Sequence, residues 1–170
     1  MSTGRDRGWR ALFAALTDGQ RRDIRQILAE DYAAEVRLAR ELAEHAKRLS
    51  RFPDARSRLL EIAAREEEHA RWLREAIERL GGTPPARVLS PVDARTNWER
   101  LVADLEAEKA ALDRYLEDAY AVERDHPEVA ALLLRIRQEE EAHQREIARI
   151  LAPVRARGAG PALARRARAP

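Results

Sequence analysis

Apolar residues recur along most of this chain at intervals of three and four, the spacing that lines one face of an α-helix. From the capping-box spacing of Thr17 and Gln20, a first run passes through Ile24, Leu28, Tyr32, Leu38, Leu42, Ala46 and Leu49. Ser50, Phe52, Pro53 and Asp54 interrupt it, and a second run continues to Leu80, where Gly81 and Gly82 supply a helix stop. A third begins near Asp93 or Thr96 and runs through Trp98, Leu101, Leu105, Leu112, Tyr115, Ala119 and Val122. Pro127 opens a fourth, which reaches about Leu151 before Pro153 stops it. Residues 9–16 are a candidate short helix ahead of these four.

The links near Pro53 and Pro127 are short, so helices one and two, and helices three and four, are expected as antiparallel hairpins. Residues 81–92 differ, with Gly-Gly, Pro-Pro and a further Pro. With its flanks this link supplies about fourteen extended residues, a reach of roughly 45 Å and a full bundle length. The expected fold is all-α: a four-helix bundle of two hairpins joined by one long crossover and related by an approximate twofold axis. It occupies residues 18–153, between an N-terminal segment (1–17) and a tail (154–170).

Composition agrees with one helical domain: 170 residues, 45% hydrophobic and 36% charged, with few aromatics. The formal charge of +2 conceals a division, because the tail holds five arginines (155, 157, 165, 166 and 168) and no acid, leaving 2 − 5 = −3 for the rest. The basic character thus belongs to a solvated end and not to a nucleic-acid-binding face. The absence of Cys excludes disulfides, thiol catalysis and a rubredoxin-type iron site. Residues 9–16 are too short to span a bilayer and lack a signal-peptide cleavage pattern, so a cytoplasmic protein with no membrane partner is the expectation.

Chemistry enters with a doubled Glu-x-x-His: Glu66 with His69, and Glu140 with His143. Residues three apart share a helix face, so each pair aims a carboxylate and an imidazole at one region. The spacing alone is cheap in a Glu-rich chain, as Glu123 and His126 show; that pair falls at a helix end before Pro127. The other two lie within apolar stripes, where an ionised carboxylate costs several kcal/mol unless paired or bound to a metal. Glu35 and Glu108 occupy the corresponding stripes of helices one and three, 34 residues before His69 and 35 before His143 respectively. Glu30, Glu41 and Glu106 have polar companions and read as solvated positions. Four carboxylates balance two divalent ions rather than one.

In these six residues the chain resembles the ferritin-like superfamily of di-iron carboxylate proteins, and most closely its rubrerythrin and bacterioferritin branches. The resemblance covers roughly residues 18–153 and implies a metal site of Glu35, Glu66, His69, Glu108, Glu140 and His143. Glu66 and Glu140 would bridge two Fe ions, with Glu35 and His69, and Glu108 and His143, as terminal ligands; Mn is an alternative and Zn a substitute. It implies a reaction of Fe(II) with O2 or H2O2, an external electron donor and a possible homo-oligomer, closed into a shell if iron is stored. The alternatives are an oxygenase acting on an organic substrate and a non-enzymatic metal-bound stress bundle. Where rubrerythrins usually carry an extra Glu three residues past the helix-three ligand, this chain has Ala111, and Leu38 stands at the equivalent place after Glu35. The haem-binding Met of bacterioferritins is replaced by Glu67, so no haem is expected. Tyr115 is a candidate to hydrogen-bond a ligand or be oxidised, with core filling as the equal alternative; Tyr32, Trp72 and Trp98 are read as core packing, and His45 as solvent-facing.

Overall fold

The computed structural model describes residues 23–86 and 96–158, and among these residues it contains four helices and no strands. They are α1 (Ile24–Arg48), α2 (Pro53–Arg79), α3 (Asn97–Val122) and α4 (Pro127–Gly158). Each boundary has a local cause. Asp23 caps α1, its Oδ1 accepting from Arg25 N–H at 2.9 Å. At α3 the box is reciprocal: Thr96 Oγ1 accepts from Glu99 N–H at 3.1 Å, and Glu99 Oε2 from Thr96 N–H at 2.7 Å. Pro53 opens α2, where its missing N–H leaves no helical bond unmade. Gly81 ends α2 at φ 71°, with Gly82 N–H bonded to the Ile77 carbonyl and Gly81 N–H to that of Glu78, both at 2.9 Å. A Cβ on Gly82 would stand 2.9 Å from Ile77 Cγ2, so this turn requires glycine twice over.

Side-chain contacts between helices fix their directions. Along α1, Asp31, His45 and Arg48 meet Arg114, Asp104 and Asn97 of α3 in descending order, so α1 and α3 are antiparallel. Along α2, Arg58 and Arg65 meet Glu146 and Glu139 of α4, again antiparallel. Because α1 is also antiparallel to α2, through Arg74 and Tyr32, helices α2 and α3 run the same way. The end of α2 and the start of α3 therefore lie at opposite ends of α1, whose 25 residues span about 37 Å, so the link between them crosses a helix length. That is the long crossover expected from the Gly- and Pro-rich link.

Two apolar clusters fill the bundle, one around Ile27, Leu73, Tyr115 and Leu133, the other around Leu42, Leu59, Leu101 and Ile147. Between them on every helix lies a gap in the apolar numbering, and the gaps hold Glu35, then Glu66 and His69, then Glu108, then Glu140 and His143. The core is thus cut by one polar layer at mid-height.

Three expectations are corrected. Pro153 does not stop the last helix, which continues to Gly158; Val154, just beyond the proline, is buried in the second apolar cluster and holds the final turn down. His45 does not face solvent but is buried against Asp104. Glu41 is likewise buried, paired with Arg37 at 3.0 Å. The candidate helix at residues 9–16, the Thr17 capping box, part of the crossover and the end of the tail lie outside the described residues. No described helix is long and apolar enough to cross a membrane.

Candidate metal centre

All six residues singled out from the sequence are buried, five at 0–1% exposure and His143 at 7%. One ligand atom from each of Glu66, His69, Glu140 and His143 falls within 4.8 Å of all the others. His69 Nδ1 is 2.9 Å from Glu140 Oε1 and 3.2 Å from Glu66 Oε2. His143 Nδ1 is 2.7 Å from Glu66 Oε1 and 3.5 Å from Glu140 Oε2. Each of these two carboxylates therefore touches both imidazoles, across the seam between α2 and α4. Glu35 and Glu108 stand outside the quartet. Glu35 Oε2 is 3.7 Å from His69 Nδ1, and Glu108 lies close enough to Glu140 for the two carboxyls to interact.

Only part of this proximity is hydrogen bonding: His69 Nδ1 and Glu66 Oε2 form one such bond. Both oxygens of Glu108 and of Glu140, one each of Glu35 and Glu66, and His143 Nδ1 are buried with no hydrogen-bond partner. His143 Nδ1 and Glu66 Oε1 are close enough for an ion pair yet not aligned for a hydrogen bond. So many orphaned donor atoms in one layer is a costly arrangement for a bare protein, and it fits a cation shell. The donor set of carboxylate and imidazole suits iron, manganese or zinc.

Without metal, protons substitute for cations. Burial, with Glu66 nearby, pushes the Glu35 carboxyl well above its usual range, and burial with Glu140 nearby does the same to Glu108. Burial also opposes ionisation of Glu66 and Glu140, but the adjacent imidazoles, and for Glu140 also the neighbouring Glu108 carboxyl, outweigh it and hold both below the usual range. The imidazoles respond reciprocally: despite burial, the carboxylates push His69 up to about 12 and His143 to about 9. The opposed shifts favour the neutral form at Glu35 and Glu108 and the charged form at Glu66, Glu140 and the two imidazoles, so that charge within the layer is offset.

A shell of further contacts surrounds the layer. The buried Tyr115 hydroxyl donates to Glu35 Oε1. Arg114 places Nε 2.7 Å from Asp31 Oδ1 and Nη2 3.8 Å from Glu35 Oε1. On the opposite side, Glu139 Oε2 is 3.3 Å from His69 Nε2. Tyr32 is buried in the core, but its hydroxyl also accepts from Arg74 at 2.9 Å. Trp72 packs against the first apolar cluster, with the Arg135 guanidinium 4.0 Å above its ring. Sequence reasoning missed Asp31, Asp104, Arg114 and Glu139. A signal existed for the two aspartates, which stand one turn before Glu35 and Glu108 on the same stripes.

A cavity of about 720 Å³ opens between α2 and α4 and reaches His143; its wall includes Arg58, Arg65, Arg149, Glu61 and Glu146. Comparison with known proteins settles the family. The Rubrerythrin family model matches residues 27–151, most of the chain and every residue of the polar layer. The chain belongs to the rubrerythrin family. No curated protein matches this rubrerythrin-family chain. Among solved structures it is similar to the Mycobacterium tuberculosis bacterioferritin BfrA, with TM-score 0.71 and 24% identity over 79% of this chain and 87% of that one. A structure described as mycobacterial bacterioferritin gives TM-score 0.70 and 25% identity, over 74% and 81% of the two chains. The Desulfovibrio desulfuricans bacterioferritin, described with a diiron site in different catalytic states, gives TM-score 0.72 and 21% identity over 80% and 82%. These likenesses establish the ferritin-like four-helix fold.

Proposed function

We propose that this rubrerythrin-family protein binds two iron ions through Glu35, Glu66, His69, Glu108, Glu140 and His143, and oxidises Fe(II) with O2 or H2O2 in iron or oxidative-stress handling. The observation that carries the reading is the buried layer of carboxyl and imidazole atoms that lack hydrogen-bond partners. Glu66 and Glu140, each against both imidazoles, would be shared by the two ions, and Glu35 with His69, and Glu108 with His143, would complete the two ends. When bound, the iron pair supplies the electrons and the Lewis acidity for reducing the oxidant. The chain's own residues do the rest. The carboxylates neutralise the added charge, the two apolar clusters exclude water above and below, and Tyr115 holds Glu35 by its hydroxyl. Manganese fits the same donors and zinc is a substitute. The reductant that restores Fe(II) comes from a partner, and the bacterioferritin likeness supports a homo-oligomer.

The alternative of an oxygenase for an organic substrate requires an apolar pocket beside the metals. The cavity that reaches His143 is walled by charged side chains instead, which favours a small inorganic oxidant. The test is anaerobic addition of Fe(II) followed by air. Rapid oxidation of two Fe(II) per chain, lost in Glu35→Ala and His69→Ala, supports the proposal, and unchanged iron chemistry in those variants refutes it.

A further inference from the structure

The ligand set is nearly symmetric, but its supports are not. Each hairpin supplies one Glu and one Glu-x-x-His, so the residues around Glu35 can be compared with those at the same offsets around Glu108. Seven residues past Glu108 stands Tyr115, which crosses the bundle and donates to Glu35. Seven past Glu35 stands Leu42, which has nothing to donate to Glu108. Six past Glu108 is Arg114, with its guanidinium 3.8 Å from Glu35; six past Glu35 is Glu41, an acid committed to Arg37. The histidines repeat the difference. His69 Nε2 faces Glu139 at 3.3 Å, whereas among the described residues no hydrogen bond reaches His143 Nε2. Every outer contact found on a ligand candidate thus falls on Glu35 and His69. Glu108 has none on either oxygen.

Accessibility divides the same way. The His69 side chain is 0% exposed and that of His143 is 9%. His143 also forms part of the wall of the cavity between α2 and α4, which His69 does not.

Taking the di-metal reading above as its basis, we infer that the two positions are unequal: Glu35 and His69 hold a retained ion, and Glu108 and His143 hold an exchangeable one. Ligands whose free atoms are fixed by outer hydrogen bonds are oriented before the metal arrives, and losing such a partner typically weakens binding about 10–100-fold. Glu35 and His69 are oriented in that way. Glu108 and His143 lack such supports and would be ordered by the ion itself, and His143 is the ligand candidate that lines the charged cavity. The retained ion is a resident cofactor, and the second position takes up and releases a divalent cation through the α2/α4 groove.

The experiment is a titration of the metal-free full chain with Co²⁺, a redox-stable stand-in for Fe(II), followed by calorimetry and by visible absorption. The expected result is two resolved steps of one ion each, the first at least about tenfold tighter. His143→Gln should abolish the second step alone. Tyr115→Phe and Glu139→Gln, checked for helicity, should each weaken the first step about tenfold and leave the second in place. A general loss of structure would move both steps, so the selective effect separates positioning from folding. Two equal steps in the unaltered chain, or a Tyr115→Phe effect on the second step, overturn the inference while leaving the two-ion reading intact. Absence of any Co²⁺ binding overturns the di-metal reading itself, and this inference with it.

Discussion

His45 Nδ1 meets both oxygens of Asp104, at 2.8 and 3.0 Å, inside the seam between α1 and α3. Burial pushes the Asp104 carboxyl up, and the imidazole opposes that shift. Removing one partner of such a buried pair strands the other, at a typical cost of about 3–5 kcal/mol. His45→Ala should therefore lower unfolding stability in urea by about 3 kcal/mol, and the double change to His45→Leu with Asp104→Leu should recover most of the loss. An unaltered urea midpoint in His45→Ala would show that the pair contributes nothing.

Glu66 reaches His69 and His143 with its two oxygens, at 3.2 and 2.7 Å. In the proposed two-ion site, losing a carboxylate shared in this way would uncouple both positions. Glu66→Ala should reduce bound iron from two per chain to one or none, measured by elemental analysis after anaerobic loading and desalting. Retention of two would remove Glu66 from the bridging role.

The metal-free protein should have a pH-dependent stability that metal suppresses. His69 and His143 hold protons more tightly when folded, at about 12 and about 9 against 6.5. Their contribution is complete below pH 6.5 and is lost as pH rises through 9 and beyond. Glu35 and Glu108, raised from 4.5 by burial, act in the same direction. Glu66 and Glu140 are lowered from 4.5, so their contribution is present above that pH and lost in acid. The metal-free thermal midpoint should peak near pH 4.5, decline above it as Glu35 and Glu108 lose their contribution, and fall more steeply from about pH 6.5 to 9. With metal bound, the protons are already displaced, and the alkaline decline should flatten. Scanning calorimetry of both forms from pH 4 to 9 checks this, and identical profiles would contradict it.

Leu133 is fully buried in the apolar cluster on the Tyr115 side of the layer. Leu133→Ala should cost about 2–5 kcal/mol of stability while leaving metal stoichiometry unchanged, because the layer is held from all four helices. Loss of metal at full folding would instead tie the site to that cluster.

Much of this architecture is legible in the sequence because the helices bury one continuous stripe each, and a stripe is a local, countable pattern. The Glu-x-x-His pairs stand out for the same reason: each lies within its own helix, inside the stripe that must face inward. What local counting misses is burial supplied from elsewhere. His45 has polar sequence neighbours, yet it is covered by α3 and paired with Asp104, 59 residues away. Glu41 is misread in the same way. Pro153 reads as a stop because only its own missing N–H is visible in sequence, whereas the buried Val154 beyond it keeps the helix going. Arg114 and Glu139 depend on the register between helices, which no single stripe records.

Iron-edge anomalous scattering from crystals loaded anaerobically with Fe(II) tests the central claim most directly. The account predicts two peaks about 3.5–4 Å apart, between Glu66 and Glu140 and within reach of Glu35, His69, Glu108 and His143. A map with no peak in this layer, or with iron bound only at surface carboxylates, would contradict it.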